Sequence, residues 1–388
     1  MAGLACASRS GTWRLGGRDS RRQPGKKLFM GALMRAKQCV SAVVIASCVS
    51  VLTAAQDKAA PPKLTVEADG TVQVSAQSVP LSSFLSPEAK AYVAQHLQQM
   101  QDPEMTKQDN GVPRFMKPMI DRDQQLYALD RKDEHIGGVH VFVYAPKASL
   151  GERNEERVLI NLHGGGFSGC WPGCAELESM PVSALMKIKV VTVDYREGPE
   201  HKFPAASEDV ASVYREILKI YKPKNVGIYG CSAGGMLTAM SLAWFQTHGL
   251  PTPGAAGIFC ASAGSFGGDA TYIAFPLGEA RMPPSNPPGA GRLGYFSTAE
   301  PKDPMVAPVN SPDILAKFPP TLLITGTRDF AMSGALFTNE QLVKQGVPVE
   351  LHVWEGLFHG FFYNADVPES RDVFNIIAKF FDRNLGQK

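Results

Sequence analysis

The sequence contains a serine whose neighbours are typical of an activated nucleophile. Ser232 lies in YGCSAGG (residues 229–235), between the apolar run of residues 225–229 and a helical pattern that begins at the serine. A G-x-S-x-G pattern at such a junction predicts a tight turn that raises the serine above the edge of a sheet. Because a free serine hydroxyl is a poor nucleophile, the fold must also supply a base, an acid and donors for an oxyanion.

A glycine-rich segment upstream predicts those donors. LHGGGF (residues 162–167) directly follows an apolar strand pattern, and its three glycines leave backbone N–H groups free to point at a substrate oxygen. Together with the amide of Ala233 they can form an oxyanion hole, in which each donor typically contributes ~2.7–4 kcal/mol in the transition state. We interpret His163 as a side chain that braces this loop.

The base is expected to be a histidine that follows the serine. In folds that hold a serine on this kind of strand-to-helix turn, the catalytic residues occur along the chain in the order serine, acid, histidine. Three histidines come after Ser232. His248 ends the helix that the serine begins, and His352 lies inside an alternating strand pattern. His359 follows the last strand in GLFHGFF, so elimination favours His359.

The acid is expected one strand–helix unit before that histidine. Asp329 lies in TGTRD, just beyond the strand pattern TLLITG. Asp303 and Asp313 precede that strand, and Asp269 lies in a segment without clear periodicity. We therefore interpret Asp329 as the acid, with a helix cap or turn residue as the alternative.

The surrounding pattern predicts a mostly parallel α/β sheet that would position these residues. Several strand-like runs are continuously apolar, as expected for strands covered on both faces. Helical patterns lie between them, including one from Ser232 to about His248 and another with apolar residues at helical spacing from Val210 to Tyr221. The strands are expected at residues 139–146, 158–163, 189–195, 225–230, 257–262, 321–326 and 349–356.

The segments outside this pattern divide the chain. Residues 1–55 are expected to be a leader, with residues 1–33 an over-called start, and residues 56–134 an N-terminal arm and mainly helical cap. Residues 135–388 are expected to be the catalytic domain, interrupted at residues 264–300 by a Pro- and Gly-rich insertion. Long irregular insertions in compact domains are typically functional, and its aromatic residues favour a lid.

Charge and apolar content support export and argue against a nucleic-acid surface. Of 39 basic and 37 acidic residues, nine basic and one acidic precede Gln56, so the rest of the chain has a net charge of about −6. Residues 34–55 combine a short basic segment, a largely apolar stretch of 14 residues and small residues before Gln56, which is typical of a secretory signal. The apolar run is shorter than a stable membrane span requires. An alternative is lipoprotein anchoring through Cys48 in IASC.

Four of the seven cysteines follow the leader: Cys170, Cys174, Cys231 and Cys260. In an exported protein, Cys170 and Cys174 in CWPGC could form a disulfide, since a Pro-Gly turn can bring them close, or could remain two free thiols. The Cys and His residues show no metal-ligand spacing, and no phosphate loop or dinucleotide fingerprint is present, so we expect no metal and no cofactor.

These motifs together resemble one family. HGGGF, VDYREGPEHKFPAASEDV, GCSAGG, DPMVAP, the Asp329 segment and FHGFF occur in the order and at about the spacing of the bacterial hormone-sensitive-lipase-like esterases, which are carboxylesterases of the α/β-hydrolase fold. The resemblance covers roughly residues 135–385. It implies a mostly parallel central sheet flanked by helices, with a mainly helical cap formed by the segments before about residue 135 and around residues 264–300.

The resemblance also implies roles for individual residues. Ser232, Asp329 and His359 would be the catalytic triad, and Gly165, Gly166 and Ala233 would supply the oxyanion amides. Cys231 departs from the Asp or Thr that the family more often has there, which predicts altered substrate or pH behaviour. We expect Phe167, Trp171 and Cys231 in the substrate pocket, although a packed core position is equally open for Trp171.

The sequence therefore predicts an exported serine hydrolase, periplasmic or secreted, that cleaves carboxylic esters of short to medium acyl chains and extends to lactones. Its partner would be a small-molecule ester, without nucleic acid or a stable membrane span, and a homodimer is left open. An amidase or peptidase with the same triad and a non-catalytic binding module on a hydrolase scaffold are the alternatives, because fold analogy does not decide the substrate.

Overall fold

The computed structural model describes residues 64–74, 76–264, 266–283 and 294–386, which belong to two units divided after Ser75. The first unit contains an antiparallel hairpin of strands β1 (Leu64–Val66) and β2 (Val72–Val74), whose side chains are all exposed. The expected leader, with Cys48, lies outside the described residues, and so do residues 284–293 of the expected lid.

The second unit is built on an eight-stranded sheet in the order β12-β11-β10-β9-β7-β8-β6-β5. Strands β7 to β12 are parallel to one another, whereas β6 runs antiparallel to β8 and β5 antiparallel to β6. Residues 108–109 and 112–113 form a separate short hairpin, β3 and β4. The sheet strands are β5 (Leu129–Ile136), β6 (Val139–Pro146), β7 (Val158–Leu162), β8 (Lys189–Val193), β9 (Val226–Cys231), β10 (Ala255–Phe259), β11 (Thr321–Arg328) and β12 (Val349–Phe358).

Helices follow most of these strands, as expected for parallel strands that need crossover connections. The first of them begins at a start signal in the sequence: Ser86 Oγ accepts from the Ala89 N–H at 3.0 Å, and Pro87 occupies the first helical position. The helices are α1 (Pro87–Gln101), α2 (Pro103–Thr106), α3 (Lys117–Leu126), α4 (Gly173–Met186), α5 (Ala205–Ile217), α6 (Ala233–Thr247), α7 (Asp269–Glu279), α8 (Pro312–Leu315), α9 (Met332–Lys344) and α10 (Pro368–Asn384).

The two faces of the sheet bury separate apolar clusters, because successive strand residues point to opposite sides. Ile160 and Ile228 pack with residues of α5 and α6 on one face. Leu159 and Tyr229 pack with residues of α1, α4 and α10 on the other. Helices on both faces of a mostly parallel sheet make the α/β-hydrolase architecture that the sequence predicted.

Two segments differ from expectation. Residues 129–134, which we placed in the cap, belong to β5, an edge strand whose sequence LDRKDEHI is mostly exposed and lacks the apolar alternation that identifies a strand. The insertion at residues 264–300, expected to be irregular, contains α7, an 11-residue helix that accommodates Pro276. Within the described ranges, no helix combines the length and apolar character needed to cross a bilayer.

Candidate active site

The candidate nucleophile lies on a strained turn between β9 and α6. Ser232 has φ 57° and ψ −121°, a conformation that costs on the order of 1–3 kcal/mol and occurs mainly at functional sites. The turn packs tightly against the end of β7, because a Cβ on Gly234 would lie 1.7 Å from the Leu162 carbonyl oxygen. The glycine of the motif is therefore required by this close approach.

His359 and Asp329 reach the same point from neighbouring strands. Asp329 follows β11 and His359 follows β12, so both lie with Ser232 at the carboxyl edge of the sheet, where open α/β sheets bind ligands. His359 Nε2 lies 2.8 Å from Ser232 Oγ, and His359 Nδ1 lies 2.8 Å from Asp329 Oδ1. The structure thus connects the three residues in one hydrogen-bonded chain.

The surroundings of Asp329 favour its ionised form. The side chain is fully buried, which opposes charge, but His359 and donors from Thr325 and Ala331 outweigh that penalty and lower the pKa of Asp329. Burial lowers the pKa of the His359 imidazole. The charge and the hydrogen bond of the neighbouring Asp329 carboxylate raise it, and the pKa is raised overall. An ionised acid beside a basic imidazole is the arrangement that general-base catalysis requires.

The glycine loop after β7 lines the cavity beside Ser232. Gly165 and Gly166 have φ of 125° and 65°, and a Cβ on Gly165 would lie 1.9 Å from the Gly169 carbonyl oxygen. Ala233, whose amide is the third expected donor, is the first residue of α6, so the positive end of a 15-residue helix lies at this point. The arrangement is suited to stabilising a negatively charged oxygen.

His163 occupies the bracing position that the sequence suggested. It is fully buried, and its Nδ1 lies 2.7 Å from the Gly164 carbonyl oxygen. Burial lowers the pKa of His163 to about 4, so the imidazole is neutral and Nδ1–H donates to that carbonyl. The Tyr195 hydroxyl donates to the His163 carbonyl at 2.6 Å. The loop is thereby held from both sides.

A buried carboxylate that the sequence analysis did not single out joins three parts of the site. Glu178, on α4, accepts from the backbone N–H groups of Gly164 at 2.9 Å and Cys231 at 3.1 Å. It also accepts from the Tyr363 hydroxyl at 2.8 Å and from Asn161 Nδ2 at 2.9 Å. Burial raises the pKa of Glu178 to about 7, against the effect of the four donors. One side chain thus ties the glycine loop, the serine turn and the segment after His359 together.

A cavity of about 370 Å³ lies above Ser232 and His359. Its far wall is formed by α1, by residues 108–119 and by α7, which are mainly apolar and sulfur-containing. His96 on α1 stacks on Phe358 with ring centroids 3.6 Å apart, and its Nε2 lies 3.0 Å from the Gly278 carbonyl oxygen, which connects α1 to α7. The wall includes Tyr92, His96, Met100, Phe115, Met116, Met119, Phe275, Glu279 and Arg281.

Three residues expected in the substrate pocket have core contacts instead. Phe167 has positive φ and is buried against the aromatic rings of residues 195, 295 and 296. Trp171 packs against Phe142 and His163, behind the loop. Cys231, the last residue of β9, points into the apolar cluster on the α4 side of the sheet. Phe167 and Trp171 are close in sequence to the glycine loop, and Cys231 is next to Ser232, but nearness in sequence does not set the direction of a side chain. At the end of β9, for example, alternate residues face opposite sides of the sheet.

Cys170 and Cys174 form a disulfide, with Cα atoms 5.4 Å apart, and both residues line the cavity. The bridge joins the end of the glycine loop to the first turn of α4, the helix that carries Glu178. Of the two alternatives left open for these thiols, the cross-link is the one present.

Cys260 brings a third potential ligand atom near the acid and the base. One ligand atom each of Cys260, Asp329 and His359 lie within 4.8 Å of one another, a spacing at which a metal ion could be held. However, both imidazole nitrogens of His359 already face Ser232 and Asp329, and Cys260 Sγ accepts the Gly360 N–H at 3.4 Å. His359 and Asp329 are therefore arranged for proton transfer along the hydrogen bonds that connect Ser232, His359 and Asp329.

Glu178 and Glu279 belong to no motif, but each has a signal in the sequence. Each is an acidic residue in a helix that is otherwise largely apolar, in CAELESMPV and YIAFPLGEA respectively. Acidic residues are rarely buried unless they have a partner or a role. A charged residue within an apolar helical run is therefore a marker worth testing in such sequences.

Comparisons with known proteins identify hydrolases and esterases as relatives of this chain. A family profile described as alpha/beta hydrolase fold matches residues 159–363. An acetyl-hydrolase of Streptomyces hygroscopicus is 26% identical over 244 residues, which cover 61% of this chain and 78% of the relative. An esterase of Acinetobacter venetianus is 24% identical over 279 residues, which cover 70% of this chain and 89% of the relative.

Solved structures show the same fold. The crystal structure of an esterase aligns with a TM-score of 0.69 and 25% identity, covering 81% of this chain and 98% of its own. An esterase from the bacterial hormone-sensitive lipase family aligns with a TM-score of 0.65 and 21% identity, covering 78% and 99% respectively. At 21% identity, this second likeness shows the fold alone.

Proposed function

Because the chain belongs to the hormone-sensitive-lipase-like esterases of the α/β-hydrolase fold and is a carboxylic ester hydrolase, we propose that Ser232, His359 and Asp329 are its catalytic triad. The observation that carries this proposal is the continuous chain of two 2.8 Å hydrogen bonds from Ser232 to Asp329. A nucleophile, a base and an orienting acid within such distances are the signature of an activated serine.

In the proposed reaction, Ser232 Oγ attacks the ester carbonyl while His359 Nε2 takes the hydroxyl proton. Asp329 keeps the imidazole oriented and stabilises its charge. The backbone N–H groups of Gly165, Gly166 and Ala233 donate hydrogen bonds to the oxyanion that develops on the carbonyl oxygen. His359 then gives the proton to the leaving alcohol, and the acyl group remains on Ser232. A water molecule, deprotonated by His359 in the same way, attacks this acyl-enzyme and releases the acid.

The proposed substrates are small-molecule esters with short to medium acyl chains. The cavity of about 370 Å³ supports this, because ligand pockets range from ~300 to 1,000 Å³ and this one lies near the lower end. The acetyl-hydrolase name of one relative also points to a short acyl group. Lactones contain the same reacting group, and the proposal extends to them.

We propose further that the protein is exported to the periplasm or the medium, with lipid anchoring through Cys48 as the alternative to cleavage. The Cys170–Cys174 disulfide supports export, since structural disulfides persist mainly in oxidising compartments. Mass spectrometry of the mature N-terminus from cells distinguishes a free residue after the leader from a lipidated cysteine.

The first test is labelling with a fluorophosphonate probe, followed by mapping of the adduct and by hydrolysis of p-nitrophenyl acyl esters of increasing length. We expect the adduct on Ser232 and turnover that falls as the acyl chain lengthens. Ser232→Ala should lose both, with a fall in kcat of about 10⁶-fold. Ser212→Ala, which removes a hydroxyl on α5 that bonds only the preceding helical turn, is the matched control and should retain wild-type turnover.

Two results would redirect the proposal. A folded protein without an adduct on Ser232 would indicate a binding module on the hydrolase scaffold. An adduct on Ser232 with faster turnover of p-nitroanilides than of the matched esters would indicate an amidase or peptidase.

A further inference from the structure

The carboxyl group of Glu279 faces the substrate cavity without a hydrogen-bond donor. Glu279 is the last residue of α7, retains 9% of its accessible surface, and lines the same cavity as Ser232 and His359. The neighbouring cation is Arg281, whose Nη2 lies 3.8 Å from Glu279 Oε2, beyond hydrogen-bond distance. Among the described residues, none donates a hydrogen bond to this carboxyl group.

Such a group is costly in this position. The Glu279 side chain keeps 11% of its accessible surface, so its carboxyl group loses most of its hydration, and no described residue supplies a replacement hydrogen bond. The cavity wall around it is apolar, with Phe275 and Phe358 among its members. Burial accordingly raises the pKa of Glu279, and the charges of His359 and Arg281 counteract this effect. A ligand that brings a donor into the cavity would remove the penalty.

The neighbouring charge indicates which kind of donor fits. Arg281 is about half exposed and offsets the negative charge of Glu279 from the cavity edge. A cationic ligand group would therefore meet Arg281 as a repulsive neighbour, whereas a hydroxyl group supplies the missing donor without adding charge. A hydroxyl also has acceptor lone pairs that an arginine N–H can use.

We propose that Glu279 accepts a hydrogen bond from a hydroxyl group of the substrate, so that the site selects hydroxylated esters over alkyl esters of the same shape. Partial esters of polyols and esters of hydroxy acids are the substrate classes that meet this condition. The inference rests on the proposed function, because Glu279 acts on whichever ester is presented to Ser232.

The test compares esters that differ by one hydroxyl-to-methyl exchange. On the alcohol side, 2-hydroxyethyl butyrate is compared with n-propyl butyrate. On the acyl side, methyl 3-hydroxybutyrate is compared with methyl 3-methylbutyrate. A third pair, butyrylcholine and 3,3-dimethylbutyl butyrate, differs only in positive charge. For the wild-type protein we expect kcat/KM to favour the hydroxylated member of at least one pair by about tenfold or more, and the charged pair to show no preference for the cation.

Three variants locate the selectivity. Glu279→Met removes the acceptor at similar size, and the hydroxyl preference should fall to about one. Glu279→Gln keeps a neutral acceptor and should retain part of it. Glu300→Met removes an exposed carboxylate outside the cavity and should leave the preference unchanged. The ratio within each pair cancels general effects on the triad, and circular dichroism with thermal melting shows whether each variant is folded.

The outcomes distinguish failure of the inference about Glu279 from failure of the proposed esterase function. Turnover of both members of each hydroxyl pair at equal rates, a hydroxyl preference that survives in folded Glu279→Met, or a preference for butyrylcholine that Glu279→Met abolishes would each overturn the inference while leaving the esterase proposal intact. Absence of turnover of every ester, with no fluorophosphonate adduct on Ser232, would overturn the proposed function and the inference together.

Discussion

The floor and the wall of the cavity are built by different means. The floor consists of the residues at the ends of β7, β9, β11 and β12, and directional hydrogen bonds of 2.8–3.1 Å fix Ser232, Asp329, His359 and the glycine loop. The wall consists of α1, residues 108–119 and α7, where thioether and aromatic side chains such as Met116, Met119 and Phe275 dominate. The first arrangement specifies positions, and the second specifies mainly a shape.

This difference separates chemistry from substrate choice. Reacting groups have to be held within a fraction of an ångström, which packed strands and buried hydrogen bonds can do. Methionine side chains are flexible and adapt to different apolar partners. Changes in the floor should therefore act on kcat with nearly every ester, and changes in the wall should act on the ranking of esters.

The largest expected effect is on the floor, at the acid. Asp329→Asn keeps the shape of the side chain but no longer favours the required imidazole tautomer, so kcat should fall by about 10⁴-fold with every ester. Asp303→Asn, before β11, is the matched control and should remain within about twofold of wild type. Steady-state kinetics on two esters of different length provide the measurement, and a loss confined to one ester would place Asp329 in substrate recognition.

A smaller effect is expected at the carboxylate that joins the floor together. In Glu178→Gln one carboxylate oxygen becomes an amide nitrogen, which cannot accept a hydrogen bond. At least one of the four donors therefore loses its acceptor; they are the backbone N–H groups of Gly164 and Cys231, the Tyr363 hydroxyl and Asn161 Nδ2. We expect kcat to fall by about 10- to 100-fold, equivalent to ~1.4–2.8 kcal/mol, with KM nearly unchanged.

Glu176→Gln is the control for that prediction, because Glu176 is also buried on α4 but accepts from Gln124 and Arg131 instead. Thermal melting of both variants accounts for general destabilisation. Equal losses of kcat in the two variants, or a change in KM alone for Glu178→Gln, would show that Glu178 does not position the floor.

The wall should respond differently. Met119→Ala enlarges the cavity, so kcat/KM for p-nitrophenyl octanoate should rise relative to the acetate by about tenfold, a typical value for a change in an apolar pocket. Met105→Ala, on α2 outside the cavity wall, should leave the ranking unchanged. An equal fall for both esters would mean that the wall also holds the reacting groups, and the distinction between the two regions would not stand.

The smallest effect concerns pH. Only neutral His359 can accept a proton, and its pKa is raised above the ordinary 6.5, so kcat/KM should rise about tenfold per pH unit below a midpoint above 6.5. The Glu279 carboxylate stabilises the imidazolium, so Glu279→Gln should move that midpoint to lower pH. Profiles from pH 5 to 9 measure both, and an upward shift in the variant would contradict the assignment.

Much of the floor could be predicted because its signals are local. Apolar runs identified all six parallel strands to within three residues at each end, and β6 (Val139–Pro146) matched the expected range. The glycines of the serine turn and of the loop are required by backbone approach, which leaves a readable motif. His359 and Asp329 followed from chain order, since parallel strands bring their carboxyl ends to one edge.

The wall and the connecting carboxylates could not be predicted in the same way, because their roles depend on contacts between distant segments. Glu178 meets Tyr363 across 185 residues, and His96 meets Gly278 across 182. Strand β5 carries mostly charged, exposed residues, so its pairing with β6 rather than its composition makes it a strand. Phe167 and Trp171 were placed in the pocket by proximity in sequence, whereas side-chain direction turned them into the core.

The disulfide beside the glycine loop has a practical consequence. Cys170 and Cys174 are part of the cavity lining, whereas the remaining two described cysteines, Cys231 and Cys260, are buried thiols whose pKa values burial raises. A reducing agent added to a purification buffer would thus protect thiols that are already shielded and would open a cross-link in the lining of the cavity. Protein produced in a reducing cytoplasm would differ from the disulfide-bonded form at the same place, so assays of this enzyme should state its redox history.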